Sequence, residues 1–329
     1  MKVSRKTRPD GKIELHITAP PTKVDEAIRF VNFQLAYENE LDPLIVADVQ
    51  AALIALVGES YYNSARDFHV MEFLAPFAVT QEKLDIVMRP QIEAGAATVQ
   101  PGQALSFTAV VTPKPTFEVS SYEPVQIKVP RNTSSQREQA NIIAFLAASE
   151  FAGRFQGQIP DELFEFTREE ILANYARSLK AQDMDLETFI EQQPGGSQQF
   201  SMALMMQVRE VLTHSFCLDA LARHLKLEVD EADIEEVFSQ MIAGRERETR
   251  QEYELTGRMY LIREAALRGK ANKWLAQTAV IEYVDVDTAA GAGADAGAEA
   301  GAGAGAEADA GADAEAGGSA GADAGADAS

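Results

Sequence analysis

What this chain of 329 residues has little of narrows its identity first. It holds one Cys, one Trp and four His. A single Cys cannot close an internal disulfide, and with no His/Cys cluster around it the case for a structural zinc site is poor. Packing alone must therefore hold the body together. Positive charge is also scarce: 29 Lys and Arg stand against 51 Asp and Glu, a formal charge of −22. Such a chain does not bind nucleic acid or anionic lipid over its whole surface, because every phosphate contact needs a local Lys or Arg. Long apolar runs are missing too. The richest stretch, residues 45–57, is 13 residues long and contains Asp48 and Gln50, whereas a membrane-spanning helix needs roughly 20 apolar residues. The opening residues are basic but lead into no apolar segment, so they do not read as an export signal. A soluble cytoplasmic protein without a membrane or DNA partner is the expectation.

What is present is distributed unevenly. Residues 288–329 contain 20 Ala, 11 Gly and eight acids but no Lys or Arg, so they carry −8 and the other 287 residues carry −14. Nothing in that tail is larger than Ala among its apolar side chains, and its regularly spaced acids oppose aggregation, so a disordered, solubilising spacer is expected. Ahead of it, residues 1–130 read as an α+β domain. Ile13, Leu15 and Ile17 alternate as a half-buried strand does, Asp10-Gly11 signals a hairpin, and Val3 to Thr7 supplies the partner strand. Thr22 is the expected cap of a helix whose Val24, Ile28, Val31 and Leu35 follow three-four spacing. Two more helical stretches fall between Ile45 and Phe77, a short amphipathic piece spans Thr80 to Arg89, and strands cover Ala104 to Val111 and Thr116 to Val129.

From Thr133 the period becomes helical. One helix is marked by Ile142, Phe145, Leu146 and Phe151, and another, entered at Pro160, by Phe164, Ile171, Tyr175 and Leu179. After the loop Gln193 to Ser197, the stretch Phe200 to Leu225 is apolar around more than half its circumference. Asp230 and Asp233 approximate a capping box, Gly244 ends the helix that follows, and a charged helix runs from Arg245 to Gln277 with interruptions at Gly257 and Gly269. Val280 to Val284 reads as extended. The divisions are thus 1–130, a helical linker 131–158, a helical domain 159–287 and the tail 288–329.

No pattern for catalysis appears: there is no Gly-rich phosphate loop, no HExxH and no GxSxG, and no cofactor is called for. His214, Cys217 and His224 share one helix but lack further ligands at metal spacing, so they read as ordinary side chains. The alternating charges of residues 245–273 read as a solvated helix face with i,i+4 pairs.

Several segments carry a family resemblance. Ile159-Pro160-Asp161-Glu162-Leu163, the stretch Lys180 to Ile190, Val208 to Leu212, Leu221 to Val229 and the Asp230 to Glu236 helix entry resemble the substrate-binding arms of trigger factor, the bacterial chaperone that meets nascent chains. Phe107 to Pro115 and Ile127 to Pro130 resemble the strand pair that ends the family's amino domain. The resemblance implies an elongated helical arm domain and an ATP-independent chaperone that binds unfolded or nascent polypeptides in an apolar cradle. On that basis Phe200, Met202, Leu204, Met205, Met206, Val208, Leu212 and Phe216 are the candidate client-binding residues. Periodicity alone favours a helix core for the same stripe; with the resemblance added, both readings stand.

Two departures limit what carries over. The family inserts a peptidyl-prolyl isomerase domain of the FK506-binding type where this chain has only Arg131 to Gln158, and 28 residues are too few when independent folding needs about 40. Isomerase activity is therefore expected to be absent. The family's ribosome-docking loop is a short basic run, but here Glu40-Leu41-Asp42-Pro43-Leu44-Ile45 occupies the place, with no Lys or Arg from Leu41 until Arg66. Docking by that loop does not carry over. The amino-terminal hairpin, with Lys2, Arg5, Lys6, Arg8 and Lys12 against only Asp10 and Glu14, is the candidate contact for a ribosome or other anionic partner. Rival functions are a retained isomerase and a scaffold for one folded partner.

Overall fold

The computed structural model describes residues 1–284 apart from 94–97, 132–134, 181, 183, 194, 242 and 243. The tail expected to be disordered, 288–329, lies outside the described residues. The chain opens with an antiparallel hairpin of β1 (Lys2–Thr7) and β2 (Ile13–Ala19), with Val3 opposite Ile17 and Arg5 opposite Leu15. Gly11 takes φ +83°, and the Arg8 amide donates to the Lys12 carbonyl at 2.8 Å across the turn. The alternation works as the sequence suggests: Leu15, Ile17 and Ala19 are buried while His16 is exposed.

Helix α1 (Pro21–Glu38) starts two residues earlier than expected. Pro20 is its cap and Pro21 opens the first turn, where a missing N–H costs nothing, so Thr22 does not cap it. The Asp48 carboxylate accepts from the Ala51 amide to start α2 (Val49–Val57), and α3 (Glu59–Glu82) follows after Gly58. The expected amphipathic piece from Thr80 to Arg89 does not form. Lys83 adopts a left-handed conformation that ends α3, and the chain continues without helix, with Ile86 bridging Pro113 before a bend at Val87 and Met88. Strands β3 (Gln91–Ile92) and β4 (Leu105–Val111) complete a four-stranded antiparallel sheet in the order β1-β2-β4-β3. The first core joins Leu15, Ile17, Phe107 and Val111 of the sheet to Val31 of α1 and Tyr62 and Leu74 of α3. The other sheet face is polar, with Thr18 bonded to Ser106 and His16 to Thr108.

Beyond β4 the chain leaves that sheet. The single strand expected from Thr116 to Val129 is broken into β5 (Glu118–Val119) and β6 (Gln126–Pro130), and neither joins the first sheet. Pro124 has no N–H for a ladder, and the Arg154 guanidinium binds the carbonyls of Ser121 and Glu123, turning the chain between the two strands. Helix α4 (Gln136–Ala152) is capped by Ser135 and followed by β7 (Phe155–Gln156), which pairs with β5. Six helices follow: α5 (Asp161–Lys180), α6 (Leu186–Gln192), α7 (Gly196–Leu225), α8 (Glu231–Met241), α9 (Glu246–Leu255) and α10 (Met259–Thr278). The last described strand, β8 (Val280–Val284), lies parallel to β6 with Ile281 beside Ile127.

Among its described residues the helical part has three clusters. The second half of α7 packs with α4, α10 and β6 around Ile127, Phe151, Leu221 and Leu275. The first half of α7 packs with α5 around Ile171, Leu204 and Val208. Helices α8 and α9 close on α10 around Phe238, Tyr253 and Ile262. Asp230 and Asp233 do form the reciprocal cap of α8, each amide donating to the other's carboxylate at 3.0 and 3.1 Å. Gly257 breaks the charged helix as expected, but Gly269 sits inside a continuous α10. A side chain at Gly257 would come within 2.8 Å of the Phe77 backbone nitrogen, and Thr80 donates its hydroxyl to the Gly257 carbonyl at 2.7 Å. That close approach joins α3 to the helical part. Among the described residues no helix is long and apolar enough to cross a membrane.

Candidate functional site

The site with the most chemistry for polypeptide binding is the outer face of α7. Leu204, Val208, Leu212 and Phe216 recur at four-residue spacing, which keeps them on one side of a helix, and all four are buried in the cluster α7 shares with α5, Phe216 with its ring 4.6 Å from that of Phe117. Phe200 extends that seam, its ring 6.0 Å from Tyr175 and 6.2 Å from Phe189. The Tyr175 hydroxyl donates to Gln207 Oε1 at 3.2 Å and ties α5 to α7 again. With that side fixed, Met202, Met205 and Met206 point away from it and are 60%, 53% and 68% exposed. The eight residues singled out in the sequence therefore divide: five belong to the α5–α7 seam and three Met form a stripe on the wet side.

Helix α6 folds against the start of α7. The Asp185 carboxylate accepts from the Thr188 amide at 2.8 Å and its hydroxyl at 2.7 Å, and these bonds, the amide's foremost, hold it below the usual carboxylate range. Leu186, Ile190, Gly196 and Ser197 line an open depression of about 700 Å³, with Glu187 and Glu191 at its edge. Ser197 precedes Met202 by five residues, some 7–8 Å along a helix at about 1.5 Å per residue. The arrangement offers a soft apolar stripe on α7 and an open hollow at the helix start.

The five basic residues of the hairpin also divide. Arg8 pairs with Glu14 at 3.2 Å and with Glu93, and Lys12 reaches Glu162 at 2.8 Å. Those two serve the structure. Lys2, Arg5 and Lys6 are exposed, and none forms an ion pair among the described residues. The register puts Lys2 and Lys6, opposite Thr18 and Glu14, on the polar sheet face, whereas Arg5 shares the other face with Leu15.

His214, Cys217 and His224 do not converge. Cys217 is buried against the Ala152 carbonyl and its thiol is pushed up to about 12 by desolvation. The His224 ring stacks on Tyr122 at 3.9 Å, and burial lowers the pKa of His214. Among the described residues no group of three or more His, Cys, Asp or Glu is placed to hold a metal. The segment 131–158 holds α4 and β7, and α4 contributes Ala147 and Phe151 to the cluster it shares with α7 and α10.

Two features escaped sequence reading. A nearly buried charge cluster links Lys114, Asp219, Glu264 and Arg268, which are far apart in the chain and carried no local signal. The apolar run of α2, which a hydropathy pattern assigns to a core, has only Leu53 fully buried.

Two family models match the sequence. One, "Bacterial trigger factor protein (TF)", covers residues 49–144, and the other, "Bacterial trigger factor protein (TF) C-terminus", covers residues 134–277. Between them they take in residues 49–277, well over half of the chain. A solved structure described by the words "Promiscuous Substrate Recognition in Folding and Assembly Activities of the Trigger Factor Chaperone" aligns with 84% of this chain and 99% of its own, at 9% identity and a TM-score of 0.36. No curated protein sequence matches.

Proposed function

The chain belongs to the trigger factor family, and from that premise we propose that it is an ATP-independent holdase whose α5–α6–α7 arm captures unfolded or nascent polypeptides. The observation that carries this reading is the exposed stripe of Met202, Met205 and Met206 on a helix whose opposite face is already packed. Methionine is unbranched and polarizable, so it fits many apolar sequences without demanding one shape. Burying a few hundred Å² of client surface at about 25 cal/mol per Å² gives several kcal/mol, from which association entropy is subtracted. Capture is then weak enough to reverse without a nucleotide.

The test is aggregation of a chemically denatured client with the protein at several-fold excess. Wild type is expected to suppress light scattering, and M202Q/M205Q/M206Q to lose most of the protection. Either a wild type that gives none or a variant that protects equally overturns the reading. A scaffold for one folded partner would instead retain a single stoichiometric protein in pull-downs, and no observation favours it. The isomerase reading gains nothing from 131–158, whose helix α4 is a member of a shared cluster.

A ribosome contact, if made through the hairpin, rests on Lys2 and Lys6, which share one open sheet face. K2E/K6E is expected to reduce co-sedimentation with ribosomes at low salt. Equal co-sedimentation of both proteins removes the hairpin from the function.

A further inference from the structure

A second uncovered apolar surface lies on α1, α2 and their neighbours, far in sequence from the Met stripe. Tyr37 on α1, Leu56 on α2 and Tyr61 on α3 are all more than two-fifths exposed, and Leu44 and Ile45 in the connection after α1 are 72% and 82% exposed. All of them fall between Tyr37 and Tyr61, and α2 packs on both α1 and α3. The charge along this stretch of chain has one sign. No Lys or Arg occurs from Phe30 to Ala65, while Glu38, Glu40, Asp42, Asp48 and Glu59 do, and none of the five forms an ion pair among the described residues. His69, which Glu38 also faces, is hydrogen-bonded to Glu72 at 3.0 Å.

In α8–α10, by contrast, acids are paired across helices. There Arg250 pairs with Glu231, Glu235 and Glu254, Lys270 with Asp233 and Lys273 with Glu236. An apolar surface in an unneutralised acidic field selects its partner by elimination. Nucleic acid and anionic lipid are repelled. A second copy meeting this surface through a two-fold axis would set five carboxylates against the same five, and like charges across an interface cost several kcal/mol. What satisfies both features is a polypeptide that brings apolar groups flanked by cations.

We propose that the surface around Leu44, Ile45 and Leu56 docks a cationic amphipathic helix of a partner protein, its Leu or Phe side chains on the apolar patch and its Lys or Arg side chains against Glu38, Glu40, Asp42, Asp48 and Glu59. This is the helix-in-groove mode of recognition with charge setting orientation. It does not depend on the holdase reading, because none of these residues belongs to the arm.

The experiment is fluorescence anisotropy of a labelled amphipathic peptide of Leu and Lys, titrated with the full chain. Saturable binding is expected, weakened about tenfold or more by L44S/I45S and falling with added salt, since the pairs at the rim are screened. A matched peptide of Leu and Glu is expected not to bind. E38Q/E40Q is expected to flatten the salt dependence, and M202Q/M205Q/M206Q to leave affinity unchanged. Leu44 and Ile45 are so exposed that serine there leaves the fold intact, which circular dichroism checks. The proposal is overturned if binding is absent, if L44S/I45S or the Leu–Glu peptide behaves like the reference, or if the Met variant abolishes binding. It is also overturned if sedimentation shows a dimer that L44S/I45S dissociates while peptide affinity stays the same.

Discussion

The amino-terminal core and the α5–α7 arm bury similar side chains in different geometries. In the first core a sheet and helices close on Leu15, Tyr62, Leu74 and Val111 from both sides, leaving each at 0–1% exposure. In the arm only Val208 reaches 0%, while Leu163, Ile171, Leu204 and Leu212 keep 5–7%. Two layers can surround a side chain, whereas the start of α7 packs on α5 and α6 along one side and leaves Met202, Met205 and Met206 to water. The exposed Met stripe is therefore what this one-sided packing leaves over. It requires no opening of a core.

The largest expected effect breaks the joint between these regions. Lys114, whose amide donates to the Asp85 carbonyl at 2.9 Å, reaches Asp219 on α7 at 3.3 Å and also contacts Glu264 on α10. Arg268 grips both Asp219 oxygens, at 3.0 and 3.1 Å, and pairs with Glu264 at 2.6 Å. Burial by itself would raise the Asp219 pKa, but Arg268 and then Lys114 overcome it and hold the carboxyl below its ordinary value. Asp219→Asn leaves two cations to one carboxylate and is expected to cost about 3–5 kcal/mol in urea unfolding, the usual loss on breaking a buried pair from one side. Because the folded pKa is depressed, the Asp219 contribution is complete above the unfolded value near 4 and is lost as pH falls through the folded one. The variant is expected to show a shallower loss of stability below about pH 4 than the parent. An unchanged urea midpoint would show that the cluster does not hold the joint.

A matched pair of truncations then sharpens the comparison. Leu74→Ala in the first core is expected to cost about 3–5 kcal/mol, because surroundings closed on all sides cannot collapse into the cavity. Leu204→Ala in the arm is expected to cost about 2 kcal/mol, since an open seam relaxes or admits water. Amide exchange gives the second readout: Leu204→Ala should accelerate exchange in α5 and α7 well before global unfolding, whereas Leu74→Ala should lower protection throughout. Equal costs would mean that the arm is as enclosed as the core.

How far the sequence revealed these regions depended on range. The hairpin, the buried stripe of α1, the cap of α8 and the wide apolar helix α7 are governed by neighbours within a few residues and form where local chemistry indicates, except that α7 starts at Gly196, inside the expected loop, and not at Phe200. Thr22 lost the cap to Pro20 because Pro21 fits the first turn, a local competition weighed the wrong way. Pairings at long separation carried no signal. Nothing near Gln126–Pro130 announces a parallel partner at Val280–Val284, and nothing near Lys114 announces Asp219 and Glu264. At the arm, periodicity identified the apolar residues but not their facing. Leu204 and Met205 are adjacent and equally apolar, and only the position of α5 makes one of them buried and the other wet.

That adjacency yields the smallest expected change in stability and the sharpest separation of fold from function. Met and Gln have nearly equal helix propensity, and exposed positions away from caps and packing usually shift stability by less than about 0.5 kcal/mol each. M202Q/M205Q/M206Q should therefore unfold in urea close to the parent and with the same slope, since no seam residue is touched. Its client capture should nevertheless fall, because amide side chains must be desolvated when an apolar segment covers them. Leu204→Ala is expected to behave in the opposite way, losing stability while retaining capture at temperatures where the arm stays folded, because the Met stripe remains on its helix. If Leu204→Ala abolishes capture in the folded state, the seam itself is the client surface and α5 must part from α7 to admit a polypeptide.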